Sequence, residues 1–254
     1  MQVSLITCTN NSEKTIKSCC QSIYSQSYDN IEHIVIDKNS HDQTIAIVKQ
    51  YQNKKTKIYY QKGLGIYNAL NEGMRLCNGN IVGILHSDDE FVDKDTISNI
   101  ASKFIEKNLD ILFSNVYYTE KKNTNNIIRD WKSNFIEGIQ SNNFLNKKII
   151  NGWMPPHPSI FFKKDILSKI GYFDENFKIS SDYDFIIRLF KEKDVRIFFL
   201  NKYTIKMRIG GVSNKNINNI LIKMSEDFKI MKKFKFSAIK TLLLKNLSKI
   251  KQFF

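Results

Sequence analysis

Short apolar runs alternate with segments of helical periodicity through the first 115 residues, and this limits the folds open to the chain. Residues 3–8, 31–36, 57–60, 81–85 and 110–113 read as strands, and residues 12–25, 41–52, 65–77 and 93–107 read as helices between them. Consecutive parallel strands need a long crossover, which a helix supplies, so the alternation predicts an α/β fold: a mostly parallel central sheet flanked by helices. In such sheets ligands bind beyond the carboxyl ends of the strands. Thr9-Asn10, Asp37 and Asp88-Asp89 fall at three of these ends.

The third end has the most chemical content. The run Ile81-Val82-Gly83-Ile84-Leu85 breaks into His86-Ser87-Asp88-Asp89. Carboxylates delivered by a buried strand are hard oxygen ligands suited to a divalent cation on a diphosphate. A second acidic cluster, Ser181-Asp182-Tyr183-Asp184, opens another apolar-periodic segment. Together they suggest a metal centre and a separate general base. Both clusters also have structural readings. An Asp pair after an apolar run closes turns and caps helices, and Asp182 sits where an N-cap would, with Asp184 at the positive end of the helix dipole.

The second half is less regular. Residues 116–150, rich in Asn and Lys, read as a hairpin or loop region. Trp153-Met154-Pro155-Pro156-His157-Pro158 is a stiff segment suited to a pocket wall. A strand at 159–162, a helix at 164–169, a turn at 171–174, a helix at 181–193 and strands at 195–200 and 203–209 complete a domain of residues 1–212. Residues 213–254 follow as a basic amphipathic helical appendage.

With 254 residues, 42% of them hydrophobic, the chain has enough apolar content for a substantial core. Its net charge of +14 invites an anionic partner, and the distribution of charge selects which. Residues 220–254 hold nine lysines against Glu226 and Asp227, so half the excess lies in the tail. There Ile217, Ile220, Leu221, Met224, Phe228 and Met231 fall at helical spacing, as do Ile239, Leu242, Leu243, Leu247 and Ile250. A lysine-rich face opposite an apolar stripe suits an anionic membrane surface, and equally a packed helix with solvated lysines. No helix-turn-helix, zinc-finger or ribonucleoprotein pattern is present, so nucleic acid is not expected as a partner. The chain has no apolar run of 18 residues, and its start lacks a basic region and a cleavage site. Cys8, Cys19, Cys20 and Cys77 match no metal-ligand spacing and read as reduced thiols. The expected location is cytoplasmic, peripheral on the inner face of the cytoplasmic membrane.

Seven segments in order carry a resemblance. They are the Thr-rich end of the first strand, Ile34-Val35-Ile36-Asp37-Lys38-Asn39-Ser40, Gly65-Ile66-Tyr67-Asn68-Ala69-Leu70-Asn71-Glu72-Gly73, His86-Ser87-Asp88-Asp89, His157-Pro158-Ser159 with Gly171-Tyr172-Phe173-Asp174-Glu175, Ser181-Asp182-Tyr183-Asp184, and Met207-Arg208-Ile209-Gly210-Gly211. Over residues 1 to about 213 the chain resembles family 2 glycosyltransferases of the GT-A fold, of the bacterial polysaccharide-assembly type. The resemblance implies an inverting transfer from a nucleotide-sugar donor, UDP-linked by preference, to a glycan or lipid-linked acceptor in O-antigen, capsule or lipooligosaccharide synthesis. It assigns Asp182 as catalytic base and Asp88 as the ligand of Mg2+ or Mn2+. Thr7, Thr9, Asp37, Asn71, Ser87, Asp89, His157 and Arg208 would line the donor site. Lys38, Leu70, His86 and Gly210 depart from the family's usual acid, arginine, acid and histidine. His86, a poor partner for Mg2+, is expected behind the metal site.

Two other functions compete. A sugar nucleotidyltransferase would need a glycine- and lysine-rich loop after the first strand, where this chain has Thr9-Asn10-Asn11-Ser12. A non-catalytic sugar-nucleotide or membrane-binding module would have no need of both Asp88 and Asp182. A processive synthase is disfavoured because the chain has no spanning segment and no Gln-x-x-Arg-Trp pattern.

Overall fold

The computed structural model describes residues 1–52, 55–210, 217–237 and 241. Four parallel strands form its first half: β1 (Val3–Thr9), β2 (Ile31–Asp37), β3 (Thr56–Tyr60) and β4 (Ile81–Ile84). Crossing between them are α1 (Ile16–Tyr24), α2 (Thr44–Tyr51) and α3 (Ile66–Leu76). Every residue of β1 and β2 is buried, which explains why these strands read as unbroken apolar runs with occasional polar insertions.

Beyond β4 come β5 (Glu90–Phe91), α4 (Thr96–Lys107), β6 (Ile111–Thr119), β7 (Ile127–Trp131), β8 (Gly138–Gln140) and α5 (Asn142–Ile150). The chain continues through a 3-10 turn at His157–Ser159, β9 (Phe161–Lys163), α6 (Leu167–Ile170), α7 (Ser181–Lys191), β10 (Ile197–Arg208) and α8 (Ile217–Lys233). Among the described residues the strands form one sheet in the order β3-β2-β1-β4-β9-β6-β10-β5, with β7 paired to β6 and β8 to β10. The short β9 runs antiparallel between β4 and β6, while β10 is parallel to β6. The expected central sheet flanked by helices is therefore present, parallel through its first four strands and mixed beyond them, with β9 reversed at its centre and β5, β7 and β8 antiparallel to their neighbours.

Helices cover both faces. One apolar layer joins Ile16, Cys19, Val35, Leu85, Ile97, Ile100 and Phe104; the other joins Ile6, Ile34, Leu70, Val82, Phe113, Tyr183, Ile187 and Met231. The four cysteines are buried and unpaired, as expected of small core residues.

Three segments differ from expectation. Residues 116–150 contain the β6–β7 hairpin, and they also contain the helix α5. Asn142, Asn143 and Asn146 depress its intrinsic propensity, and burial of Leu145 and Ile149 offsets that loss. The two strands expected near 195–209 are one strand with register shifts between Leu200 and Ile205. In α8 the buried face carries Glu226, Asp227, Ile230 and Met231, while Ile220, Leu221 and Met224 of the expected apolar stripe are exposed. The second stripe, Ile239 to Ile250, lies outside the described residues.

Gly83, in β4, lies under the ring of the fully buried Phe161. A Cβ at that position would stand 2.3 Å from the ring edge, and the packed ring has no room to move. Gly83→Ala is expected to destabilise the domain by about 1–3 kcal/mol, read as a lowered urea midpoint with an unchanged slope.

Candidate active site

The carboxyl ends of β1, β2 and β4 are adjacent because β1 pairs with both neighbours in register: Thr9 faces Asp37, and Ile6 faces Ile84. The ladder runs one residue further, with the Leu85 amide on the Ile6 carbonyl. The chain then turns sharply, the Asp89 amide bonding the His86 carbonyl at 2.9 Å. Asp88 sits at the tip of this turn, half-buried. Ser87 touches Ser12 through hydroxyls 3.0 Å apart, tying the turn to the loop after β1.

Arg208, at the end of β10, fixes this loop from behind. Its guanidinium donates to the Asp88 carbonyl, to the Ser18 hydroxyl at 2.9 Å and to the Glu90 carboxylate at 2.6 Å. Arg208 is buried and Glu90 is largely shielded in this pair. Although burial opposes it, hydrogen bonds from Ser18, Thr124 and Arg208 hold the Glu90 carboxyl below its usual range. Arg208 therefore orients the acidic loop, and its guanidinium is committed to protein groups rather than to a donor diphosphate. Asp89 is turned inward as well. It is 1% exposed, one carboxylate oxygen has no partner, and burial, then the Asp88 charge, push its pKa well up. A carboxyl that favours its neutral form is a poor cation ligand, so the two acids divide: Asp88 outward, Asp89 structural.

Asp182 lies in the first turn of α7, where its Oδ1 accepts from the Tyr183 amide at 2.8 Å. Its Oδ2 stands 3.6 Å from His157 Nδ1, within ion-pair reach but too long for a hydrogen bond. The other ring nitrogen of His157 is 2.9 Å from His86 Nε2. Two ring nitrogens at that distance share one proton. Burial holds both imidazoles down to about 4, and for His86 the neighbouring His157 adds to the effect. Neutral His157 faces Asp182 through Nδ1 and shares a proton with His86 through its other ring nitrogen. The three residues thus form a continuous line from α7 to the residue two before Asp88. Separate sequence motifs, 71 and 25 residues apart, are brought together here. Tyr67 completes the group: its hydroxyl donates to the Ile179 carbonyl at 2.5 Å and lies 3.4 Å from Asp182 Oδ1.

The other expected contacts divide. Asp37 is buried at the end of β2, accepting from Thr9 at 2.7 Å and from the Ser40 hydroxyl and amide at 2.6 and 2.7 Å. Thr9 and Asp37 thus form one unit at the strand ends. Thr7 is elsewhere: its side chain meets His33 Nε2 at 3.0 Å beneath α1, inside the core. Thr7 and Thr9 share a face of β1, but Thr7 lies one side-chain step back from the strand end, with its hydroxyl committed to His33 in the core, so it is not placed as a donor contact. Asn71 is 1% exposed and holds the Phe173 carbonyl and amide, each at 2.9 Å, and the Glu175 carboxylate at 2.8 Å. It braces the turn before α7 instead of reaching a phosphate. Trp153 packs against Phe113 and Phe135, with ring centroids at 5.7 and 4.8 Å, as part of an aromatic core.

The residues fit a divalent cation in one way only. Among the described residues no group of three His, Cys, Asp or Glu side chains could hold a metal. At the site, Asp88 presents an outward carboxylate to which no described residue donates. Among the described residues no protein cage is available, and Asp88 is the residue that would hold Mg2+ or Mn2+ if a ligand's oxygens supplied the remaining positions.

Residues 4–171 match Glycosyl transferase family 2. The chain belongs to this family. It is 28% identical over 219 residues to an uncharacterised glycosyltransferase of Methanocaldococcus jannaschii, covering 84% of this chain and 72% of that one. It is 23% identical to the PGL/p-HBAD biosynthesis glycosyltransferase of Mycobacterium bovis, covering 87% and 82%. Among solved structures it resembles residues 1–349 of S. aureus TarS in complex with UDP-GlcNAc, with TM-score 0.74, 23% identity, and coverage of 91% of this chain and 64% of that one. It also resembles the mannosyltransferase PcManGT of Pyrobaculum calidifontis, in complex with GDP-Man and Mn2+, with TM-score 0.64, 17% identity, and coverage of 95% and 69%. This glycosyltransferase therefore spans less than two thirds of the TarS chain, and it shares the GT-A fold with both structures.

Two groups at this glycosyltransferase site carry no obvious sequence signal. Tyr67 lies inside a recognisable motif but reads there as core. Glu226, which approaches α7 from α8, is hidden in a lysine-rich run.

His33, buried and held near 4 by desolvation, shares the fate of His86 and His157. An unfolded chain protonates these imidazoles near 6.5, so it binds more protons than the folded one between about pH 6.5 and 4. Stability is full above that window and falls as pH drops through it. Urea midpoints at about pH 7.5 and about pH 5 are expected to differ, and His33→Gln should shrink the difference. An unchanged difference would contradict a neutral, buried His33.

Proposed function

We propose that this glycosyltransferase inverts the anomeric centre while moving a sugar from a nucleotide donor, UDP-linked, to a hydroxyl of a glycan or lipid-linked acceptor in cell-surface polysaccharide synthesis. One observation carries the reading: Asp182 and the Asp88 loop, from distant parts of the chain, are joined by the His157–His86 contact. A sugar hydroxyl needs a base, and a departing nucleoside diphosphate needs its charge offset. The two acids supply these needs on opposite sides of one reacting carbon. The acceptor oxygen attacks C1 as its proton passes to Asp182, and the C1–O bond to the diphosphate breaks with its electron pair leaving on the phosphate oxygen. The Tyr183 amide orients the Asp182 carboxylate, and a neutral His157 beside it adds no positive charge. Asp88 would hold Mg2+ or Mn2+, which when bound offsets negative charge on the diphosphate. Thr9 and Asp37, at the neighbouring strand ends, suit the nucleoside. A uridine donor is favoured by the UDP-GlcNAc of the TarS complex, and the GDP-Man of the mannosyltransferase makes guanosine the competing choice.

A panel of UDP-, GDP- and dTDP-sugars with Mn2+, assayed for binding and slow hydrolysis, tests this. Asp88→Ala is expected to weaken metal-dependent donor binding about tenfold, equal to ~1.4 kcal/mol. Asp182→Asn should keep donor binding and lose about 100- to 10,000-fold in transfer. Full activity in both variants would leave the acids as structural caps and overturn their assigned roles, whereas no binding or turnover of any donor would remove the enzymatic assignment.

The reading places the protein at the inner face of the cytoplasmic membrane, where a lipid-linked acceptor would be met. Exposed Ile220, Leu221, Ile222 and Met224 on α8, with Lys229, Lys232 and Lys235 nearby in the chain, support contact with anionic lipid. Among the described residues no helix is long and apolar enough to cross a membrane. The protein should co-sediment with phosphatidylglycerol vesicles and not with phosphatidylcholine vesicles. Leu221→Glu combined with Met224→Glu should release it, and retention by that variant would overturn the surface.

A further inference from the structure

The family match ends at residue 171, yet a carboxylate from α8 holds the segment that delivers Asp182. Glu226 is 7% exposed. Its Oε1 accepts from the Lys178 amide at 2.8 Å, and its Oε2 accepts from the Ile179 and Ser180 amides, both at 2.9 Å. These three residues lead directly into α7, whose Ser180 supplies no side-chain cap. One ionised side chain therefore pairs three consecutive backbone donors that would otherwise be orphaned beside a helix N-terminus. On the opposite side of the same segment, Tyr67 takes the Ile179 carbonyl. Asp182 follows two residues after the last clamped amide.

A second tie keeps α8 in place. Lys233 Nζ reaches Asp184 at 2.7 Å and Asp174 at 3.7 Å, and Asp184 also binds Arg188 Nε at 2.8 Å. Ile230 and Met231 are fully buried in the same contact. The apolar pair and Lys233 account for docking of α8, leaving the three short bonds of Glu226 directed at one strip of backbone.

We infer that Glu226 is a positioning residue for glycosyl transfer: from α8 it sets the place of Asp182 by clamping the amides of residues 178–180. The inference rests on Asp182 being the base. Glutamine at this position keeps one acceptor oxygen and turns an NH2 toward amide donors, so Glu226→Gln should loosen the segment while leaving the packing of Ile230 and Met231 intact.

The experiment compares wild type, Glu226→Gln, Glu226→Ala, Ile230→Ala and Asp182→Asn. Its donor is the sugar nucleotide hydrolysed fastest in the panel above, and hydrogen exchange is followed across residues 178–183. Glu226→Gln should lower kcat about tenfold, and Glu226→Ala by more, with KM for the donor within about twofold of wild type. Exchange across 178–183 should quicken in both. Ile230→Ala should lower the melting temperature, yet leave kcat and that exchange near wild type. Wild-type kcat in Glu226→Gln, or an equal kcat loss in Ile230→Ala, would overturn the positioning role. Wild-type kcat in Asp182→Asn would remove the base assignment instead, and unchanged exchange in Glu226→Gln would overturn the clamp without reference to turnover.

Discussion

Everything at the site depends on the in-register pairing of β1 with β2 and β4. Because a buried parallel ladder must satisfy every backbone donor and acceptor, the three strands end at nearly the same level. That places the Thr9–Asp37 unit beside the turn carrying Asp88. The helices then follow from the strands: α3 packs its apolar stripe under β1 and β2, and so brings Tyr67 to the segment before α7.

The second half of the chain completes what the first begins, by charge and hydrogen bonding more than by shape. Each acidic motif contains one acid turned outward and one turned in. Asp88 is half-exposed while Asp89 is buried near Arg208; Asp182 faces His157 while Asp184 is buried between Arg188 and Lys233. The cost of burying Asp184 is offset by Arg188 and Lys233, whereas buried Asp89 is pushed toward its neutral form.

This division explains how much was legible in advance. The sheet, the strand ends, the Asp88-Asp89 turn after β4 and the placing of Asp182 at the start of a helix follow from apolar periodicity, acidic placement and the order of motifs. Thr7 and Asn71 carried the right residue type in the right motif, yet their side chains point into the core, which motif order does not record. The contact of His86 with His157 joins positions far apart in sequence. The helix α5 was hidden because its asparagines oppose the burial that stabilises it. In α8 the apolar stripe and the buried face do not coincide, since Glu226 finds backbone amides beneath it and periodicity counts only apolar groups.

The reach of Arg208 also bears on how the molecule is made. The described partner of β5 is β10, and the counter-charge of Glu90 sits at the far end of that same strand. During synthesis the parallel half emerges first and has its own ladder. The loop bearing Asp88 acquires its anchor only after residue 208 has left the ribosome, so a chain cut short of that residue lacks the guanidinium that fixes the acidic turn.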